Sequence, residues 1–418
     1  MKKKEFKKSN FNINVVGLGF VGLVTAAVFA KKGFYINAVE NNLIKLKNIK
    51  KNVIDFYEPN LEKNIKLYKK KLNFCSKIEI KKNKINLIFL CVGTPSKKNG
   101  DINLSYINSF CQILKKNKED QILLIIKSTV LPGTLDKIIS KYFKNNKNIL
   151  FCSNPEFLQE GSAFNDFIKS EKIVVGTDNN FVRRILEYIY KSFKSKFVFT
   201  NFVTAEFTKY LSNNLLASII SYSNFMKILS YKIDNIDLKK SFNSVKIDKR
   251  WFGSPANISK YFHPGIGFGG SCLPKDLSAL KFLASQHLGE NNILKNYLSI
   301  NSDITEKVIN ECKLKFNNSD KKNIIFLGAS FKPGSDDTRY SKALEFIKKF
   351  LKKEKVNYEI YDELVKKVSI SKQNNIVKNS KPRFNEKNFY ILLTEWKMYI
   401  DFLKKIPSKN YFDARDII

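Results

Sequence analysis

NINVVGLGFVGLVTAAVFAKKG (residues 12–33) stands behind a basic leader, MKKKEFKK, and three structures compete for it. A charged leader, an apolar stretch and small residues at 26–30 resemble a secretory signal. Residues 13–30 approach the length of a membrane-spanning helix. Gly17, Gly19 and Gly22 instead follow the G-x-G-x-x-G spacing of a phosphate-binding turn. The neighbouring residues decide between them. Ile13–Val16 is a short β-type run, the glycines follow at once, and Leu23–Ala30 continues as a small-residue helix that Gly33 ends. A second apolar run, Tyr35–Val39, leads to Glu40, 18 residues after the last glycine. Strand, glycine turn, helix, strand and acid are the parts of a dinucleotide site. Gly17 permits the tight turn, Gly19 lets the backbone approach a pyrophosphate, and Gly22 lets helix and strand pack closely. The helix N-terminus offers free N–H groups to the phosphates. Glu40 would accept hydrogen bonds from the adenosine ribose, which favours NAD over NADP. Cleavage as a signal would remove the whole motif.

The remaining composition narrows the class. The 418 residues exceed one ordinary core, and 43% hydrophobic residues is the content of a globular protein. After Ala30 no comparable uncharged stretch of spanning length occurs, so no membrane is expected. Six cysteines (75, 91, 111, 152, 272 and 312) lie far apart, without CxxC pairs or zinc-like spacing. That pattern suits reduced thiols in a cytoplasmic protein, with no metal. The formal charge of +36 suggests nucleic acid, but the lysines are scattered over the whole length and no recognition motif accompanies them. Basic runs such as KKNKIN stand between apolar segments, where solvated faces belong. The field would steer anionic small substrates, and no nucleic-acid partner is expected.

Strand-like runs at Asn86–Val92, Gln121–Lys127, Asn148–Cys152 and Lys172–Gly176 alternate with helical patterns and predict a parallel, doubly wound sheet. Residues 204–232 read as one long helix. A glycine-rich segment at 265–270 interrupts, and helical patterns resume from Leu277 to Cys312. Asn323–Leu327, Tyr358–Tyr361 with Asp362, and Tyr390–Thr394 then repeat the opening α/β grammar. The expected class is α/β, with two Rossmann-like doubly wound domains (1–196 and 313–418) joined by a central helical domain (197–312).

Ordered blocks along the chain carry a family resemblance: GLGFVG (17–22), YEPNLE (57–62), CVGTPS (91–96), KSTVLPGT (127–134), NPEFLQEG (154–161), AEFTKYLSNN (205–214), HPGIGFGGSCLPKD (263–276), FKPGSDDTR (331–339) and FDAR (412–415). Over nearly its whole length the chain resembles the UDP-glucose/GDP-mannose dehydrogenase family. The resemblance implies oxidation of a sugar C6 alcohol twice, to a carboxylate, with two NAD+ and a covalent thioester. Such chemistry needs a nucleophile to retain the aldehyde. Cys272 lies in a glycine-flanked loop with Lys275 and Asp276 behind it, and a nearby lysine favours the thiolate. The other five cysteines read as small buried hydrophobes.

Hydrolysis of the thioester then needs a base and an oxyanion stabiliser. By resemblance Glu156 activates water and Glu160 is a second acid near sugar and nicotinamide. Lys209 and Asn213, four apart on one helix face, stabilise the oxyanion, and Asp276 orients Lys209 or the water. The resemblance also places Thr94, Thr129, Lys45, Lys275 and Arg339 about the cofactor. It places Phe157, Leu158, His263 and Phe268 along the substrate, with Gly265, Gly267 and Gly269 letting the loop wrap around the sugar. Lys332 and Arg415 match residues that hold the nucleotide diphosphate. Arg250 matches an arginine reaching across a homodimer interface, although the stretch from Arg250 to the cysteine loop is a few residues longer than in some relatives. Asn60 replaces a usual glycine, and Ser170-Glu171-Lys172 replaces Pro-Asp-Arg. UDP-glucose is the leading substrate within the family, because GGSC before Leu273 resembles the glucose and mannose branches, whereas the acetamido-sugar branch often has His at the position of Ser271. GDP-mannose, a UDP-N-acetylhexosamine, and a noncatalytic nucleotide-sugar-binding protein remain alternatives.

Overall fold

The computed structural model describes residues 6–117, 121–248, 262–289, 293–354, 356–370 and 373–418, without the side chains of 373 and 374. The chain forms two compact units, Met1–Leu211 and Ser212–Ile418.

In the first unit, β1 (Phe11–Val16) is wholly buried and pairs in parallel with β2 (Ile36–Val39) on one side and β4 (Ile85–Leu90) on the other. With β3 (Leu72–Cys75), β5 (Ile122–Ile126), β6 (Ile149–Ser153), β7 (Lys172–Gly176) and β8 (Lys196–Thr200) it makes an eight-stranded sheet of order β3-β2-β1-β4-β5-β6-β7-β8. The first six strands follow the dinucleotide-binding order, with the reversal between β1 and β4. Strand β5 is apolar and buried at every position, as a strand covered by helices on both sides requires. Helix α1 (Phe20–Lys31) is buried from Gly22 to Ala30, so the opening apolar stretch is a strand plus a packed helix rather than one long helix.

An asparagine row crosses this sheet. Asn73 donates to Asn37 (3.1 Å), Asn37 to Asn12 (3.1 Å), and Asn12 to Asn86 (2.8 Å), one residue from each of β3, β2, β1 and β4. Asn37, Asn12 and Asn86 each both donate and accept, so the buried amides of the row are satisfied.

The expectation of a parallel sheet fails at β7, which meets β6 in the antiparallel sense through one residue pair, Ser153 with Gly176. The connection, residues 154–171, opens with the irregular NPEFLQEG segment and only then forms a short helix, Ala163–Ile168. Asn154 completes the join from its side chain, donating to the Val174 carbonyl (2.8 Å) and accepting from the Tyr190 hydroxyl (2.7 Å).

In the second unit, β9 (Asn323–Leu327) is central to a parallel sheet of order β10-β9-β13-β14, with β10 Asn357–Tyr361, β13 Asn388–Leu392 and β14 Tyr411–Asp413. Ile324 and Phe326 pack with α11 (Ile293–Asn317) and α12 (Lys342–Lys353), while Ile325 and Leu327 pack with α13 (Lys397–Leu403). The two faces of one strand thus serve two helical layers, which is the doubly wound arrangement. A small hairpin, β11 (Lys367–Ile370) with β12 (Gln373–Ile376), is added outside that pattern. Helices α8 (Phe202–Ser230), α9 (Leu238–Ile247) and α10 (Leu273–Leu288) supply the helical middle of the chain, and α8 runs through the division between the units. Among the described residues no helix is long and apolar enough to cross a membrane.

Candidate active site

At the glycine turn the three glycines differ in what surrounds them. Gly17 has φ +88°, and a β-carbon there would lie 3.0 Å from Val92. A β-carbon at Gly22 would lie 1.8 Å from the Gly17 carbonyl oxygen, which allows α1 to sit on the turn. Gly19, the residue before α1, faces nothing within 4 Å. That open position at a helix N-terminus is the cradle a pyrophosphate needs. Glu40, 8% exposed, braces the turn by accepting from Leu18 N (3.1 Å) and Asn42 N (3.0 Å). A carboxylate has about four acceptor sites, so capacity remains for two ribose hydroxyls. These residues fit a dinucleotide. Thr94 and Thr129, 35 residues apart, are brought together where the Thr94 hydroxyl donates to the Thr129 carbonyl (2.8 Å). Lys45 pairs with Asp55 at 2.9 Å on the surface.

The NPEFLQEG segment delivers Glu156 to the start of α8. Its Oε1 accepts from Lys209 Nζ at 3.0 Å and its Oε2 from Leu158 N at 2.6 Å, with both side chains of the ion pair under a tenth exposed. Burial alone would raise this carboxyl, but Lys209, the Leu158 N–H and Lys127 outweigh it and hold Glu156 below the usual carboxylate range. Phe157, Leu158 and Glu160 are half-buried beside it.

Three further residues escaped the sequence reading, although each lies in a motif already singled out. Lys127 of KSTVLPGT is 3% exposed and bonds to Asn154 Oδ1 (3.3 Å), and burial pushes its ammonium down from the ordinary lysine value. Glu58 of YEPNLE accepts from Gly161 N (2.8 Å) and Phe164 N (3.1 Å), pinning the loop after Glu160. Glu206 of AEFTKYLSNN accepts from Gly133 N (2.6 Å) and Leu135 N (3.0 Å), pinning the turn after Thr129 to α8.

In the second unit Cys272 caps the start of α10 and is exposed, whereas Cys91, Cys111, Cys152 and Cys312 are buried and Cys75 is half-buried. Burial pushes the thiols of Cys91 and Cys111 up to about 12, which removes them as nucleophiles. A helix N-terminus stabilises an anion at Cys272, and Ser271 Oγ lies 3.6 Å from its sulfur. Asp276, 1% exposed, accepts from Asn213 Nδ2 (2.5 Å) on one oxygen and from Lys275 Nζ on the other. The partners that orient Asp276 are therefore Asn213 and Lys275.

The glycine loop before the cysteine is packed against protein. A β-carbon at Gly265 would meet the Arg415 guanidinium at 3.3 Å, one at Gly267 Asn301 Oδ1 at 2.6 Å, and one at Gly269 the Tyr340 carbonyl at 2.2 Å. Arg415 forms an ion pair with Glu395 (Nε to Oε1 2.6 Å). His263 uses both ring nitrogens: Nε2 meets the Arg415 carbonyl at 2.8 Å, so it carries the hydrogen, and Nδ1 accepts from Lys246 at 3.0 Å. Burial and Lys246 hold its pKa below the ordinary histidine value. Phe268 is 5% exposed. Arg339 is exposed and bonded in a fork to Asp337, and the Lys332 ammonium stands 5.6 Å over the Phe331 ring. Arg250 lies outside the described residues.

A dinucleotide cradle ahead of an exposed helix-start cysteine defines a nucleotide-dependent dehydrogenase. Comparison with known proteins agrees. Residues 11–194 match the NAD binding domain of the UDP-glucose/GDP-mannose dehydrogenase family, 203–303 its central domain and 325–418 its UDP binding domain. The chain belongs to that family and is an NAD-dependent dehydrogenase. It is 34% identical over 350 residues to the UDP-glucose 6-dehydrogenase of Rickettsia prowazekii (strain Madrid E), covering 82% of this chain and 79% of that one. It is 32% identical over 420 residues to the putative UDP-glucose 6-dehydrogenase YtcA of Bacillus subtilis (strain 168), covering 97% and 95%. A UDP-glucose dehydrogenase structure from Pyrobaculum islandicum superimposes with a TM-score of 0.80 at 26% identity, covering 96% of this chain and 94% of that one.

Proposed function

We propose that the chain oxidises UDP-glucose to UDP-glucuronate, a four-electron reaction that consumes two NAD+ and one water and releases two NADH and three protons. NAD, when bound, accepts one hydride in each oxidation. In the first, the C6 alcohol becomes an aldehyde. The Cys272 thiolate adds to that aldehyde as a thiohemiacetal, whose oxidation gives a thioester. Water activated by Glu156 attacks the thioester, and the thiolate leaves. Lys209 and Asn213 stabilise the oxyanions, and Asp276 fixes the Asn213 amide. Glu160 belongs near sugar and nicotinamide, and Lys332 and Arg415 take the diphosphate. The observation that carries this reading is Cys272 itself, an exposed thiol at a helix start preceded by a packed glycine loop. The name shared by the relatives above 30% identity supports UDP-glucose over the other sugars.

The same reading assigns a cofactor domain at 1–196, a central domain at 197–312 and a nucleotide-sugar domain at 313–418. It makes the protein a homodimer. Helix α8 supports this because its polarity is inverted: Asn214, Ser221, Asn224 and Lys227 are buried while Leu211, Leu215, Tyr222, Phe225 and Leu229 are exposed. An apolar stripe at such spacing on a solvated face suits a second copy of the chain. Six free cysteines suit the reducing cytoplasm.

The test is NADH release with UDP-glucose, GDP-mannose and UDP-N-acetylhexosamines, with the NADH counted per sugar. Two NADH per UDP-glucose and no aldehyde in solution are expected. One NADH with free aldehyde would make the protein a simple alcohol dehydrogenase. Cys272→Ala should abolish full oxidation, whereas Glu156→Gln should slow turnover about a hundred- to ten-thousand-fold and leave a sugar-acyl adduct on Cys272 visible by intact mass. Normal turnover of the Glu156 variant would remove the base from the scheme.

A further inference from the structure

Residues 265–271 hold four glycines and no regular secondary structure, so the backbone before Cys272 has much conformational freedom to lose. Neighbouring side chains bond directly to that backbone. Gly265 N donates to Asn224 Oδ1 of α8 at 2.9 Å. Phe268 N donates to Asn301 Oδ1 at 2.7 Å, and Asn301 Nδ2 returns a bond to the Phe268 carbonyl at 3.1 Å, so one amide takes both polar groups of one residue. Thr305 Oγ1 donates to the Ile266 carbonyl at 2.9 Å. Asn301 and Thr305 are four apart on α11, hence on one face. Asn224, Asn301 and Thr305 are 0%, 7% and 0% exposed. Gly267 completes the fit, with φ +101° and no room for a β-carbon beside Asn301 Oδ1.

We propose that Asn301 and Thr305, with Asn224, are positioning residues that hold the glycine loop in the one path that presents the Cys272 thiol. The inference rests on Cys272 as the nucleophile. The Asn224 Oδ1, both amide atoms of Asn301 and the Thr305 hydroxyl bond to backbone that lacks any ladder of its own, and the loop ends at the reacting sulfur. At the other end the loop is fixed by α10, where Asp276 N donates to the Cys272 carbonyl at 2.8 Å. Between two fixed ends, a shift at Phe268 displaces the thiol. A misplacement of about 1 Å can cost on the order of a hundredfold in rate.

The test compares Asn301→Ala, Thr305→Val and Thr305→Ser in the full-length protein. Valine keeps the size of threonine and loses the bond, while serine keeps the hydroxyl. Three quantities are read: kcat with KM for NAD, the rate of Cys272 alkylation by iodoacetamide followed by peptide mass spectrometry, and Tm. Asn301→Ala and Thr305→Val should lower kcat by about ten- to a hundredfold, change the alkylation rate of Cys272 with it, and leave KM for NAD unchanged. Thr305→Ser should restore both to within about threefold of the parent. A lower Tm with parental kcat and alkylation in Thr305→Val would make these bonds merely structural and overturn the proposal. If Asn301→Ala does not fold, the valine and serine pair decides. Full oxidation by Cys272→Ala would instead remove Cys272 as the nucleophile, and the alkylation rates alone would then decide whether the clamp sets the thiol.

Discussion

Two glycine-rich loops serve this protein, and they use glycine for opposite ends. In GLGFVG, Gly19 opens onto space while Gly17 and Gly22 shape the turn beneath it. In GIGFGG, a β-carbon at Gly265, Gly267, Gly269 or Gly270 would meet the protein's own atoms. The first loop leaves room for a ligand. The second leaves room for the protein to grip the loop. A glycine motif therefore has two physical meanings, and only the surroundings distinguish them.

The largest expected effect separates these meanings directly. Gly269→Ala drives a methyl group against the Tyr340 carbonyl, where only 2.2 Å is available. The loss should be about 3 kcal/mol or more, with collapse of kcat, as chemical denaturation and turnover would register. Gly19→Ala should leave stability within about 1 kcal/mol and raise KM for NAD about tenfold, because the added carbon occupies the cradle. Similar behaviour of the two variants would dissolve the distinction.

The loop clamps differ as well. The cysteine loop is held by neutral amides and a hydroxyl, while the turn after Thr129 is held by a carboxylate, Glu206. Burial pushes that carboxyl up to about 7, against the backbone N–H groups that lower it. A raised carboxyl contributes stability that is fully present below about pH 4.5 and is lost as pH rises through about 7. The difference amounts to about 3 kcal/mol. Glu206→Gln should therefore gain on the parent as pH rises from 4.5 to 7.5 in urea titrations. Parallel stability profiles would show that Glu206 is ionised at ordinary cost. Replacing Asn12 by Leu should cost about 1–3 kcal/mol by leaving Asn37 and Asn86 without their partner. A urea midpoint unchanged from the parent would mean that water replaces the row.

The dinucleotide turn was legible because its parts lie in one short block. Strand, glycines, helix and acid follow one another within 30 residues, and local periodicity suffices to order them. The antiparallel entry of β7 was not legible, since Lys172–Gly176 has the same apolar pattern in either sense. Glu58 and Glu206 were equally silent. A carboxylate that accepts backbone N–H groups looks, in a sequence, like any solvated acid.

The sequence alone determined the order of elements and the dinucleotide turn, because these depend on spacing within a few turns of chain. The tertiary structure decided the partners: Glu156 with Lys209 across 53 residues, Asn213 with Asp276 across 63, and Asn301 with Phe268 across 33. It also decided which face of α8 is polar and buried. Buried charges and amides must each find a partner once water is gone. Which partner is near depends on how the layers pack, and no local pattern encodes that.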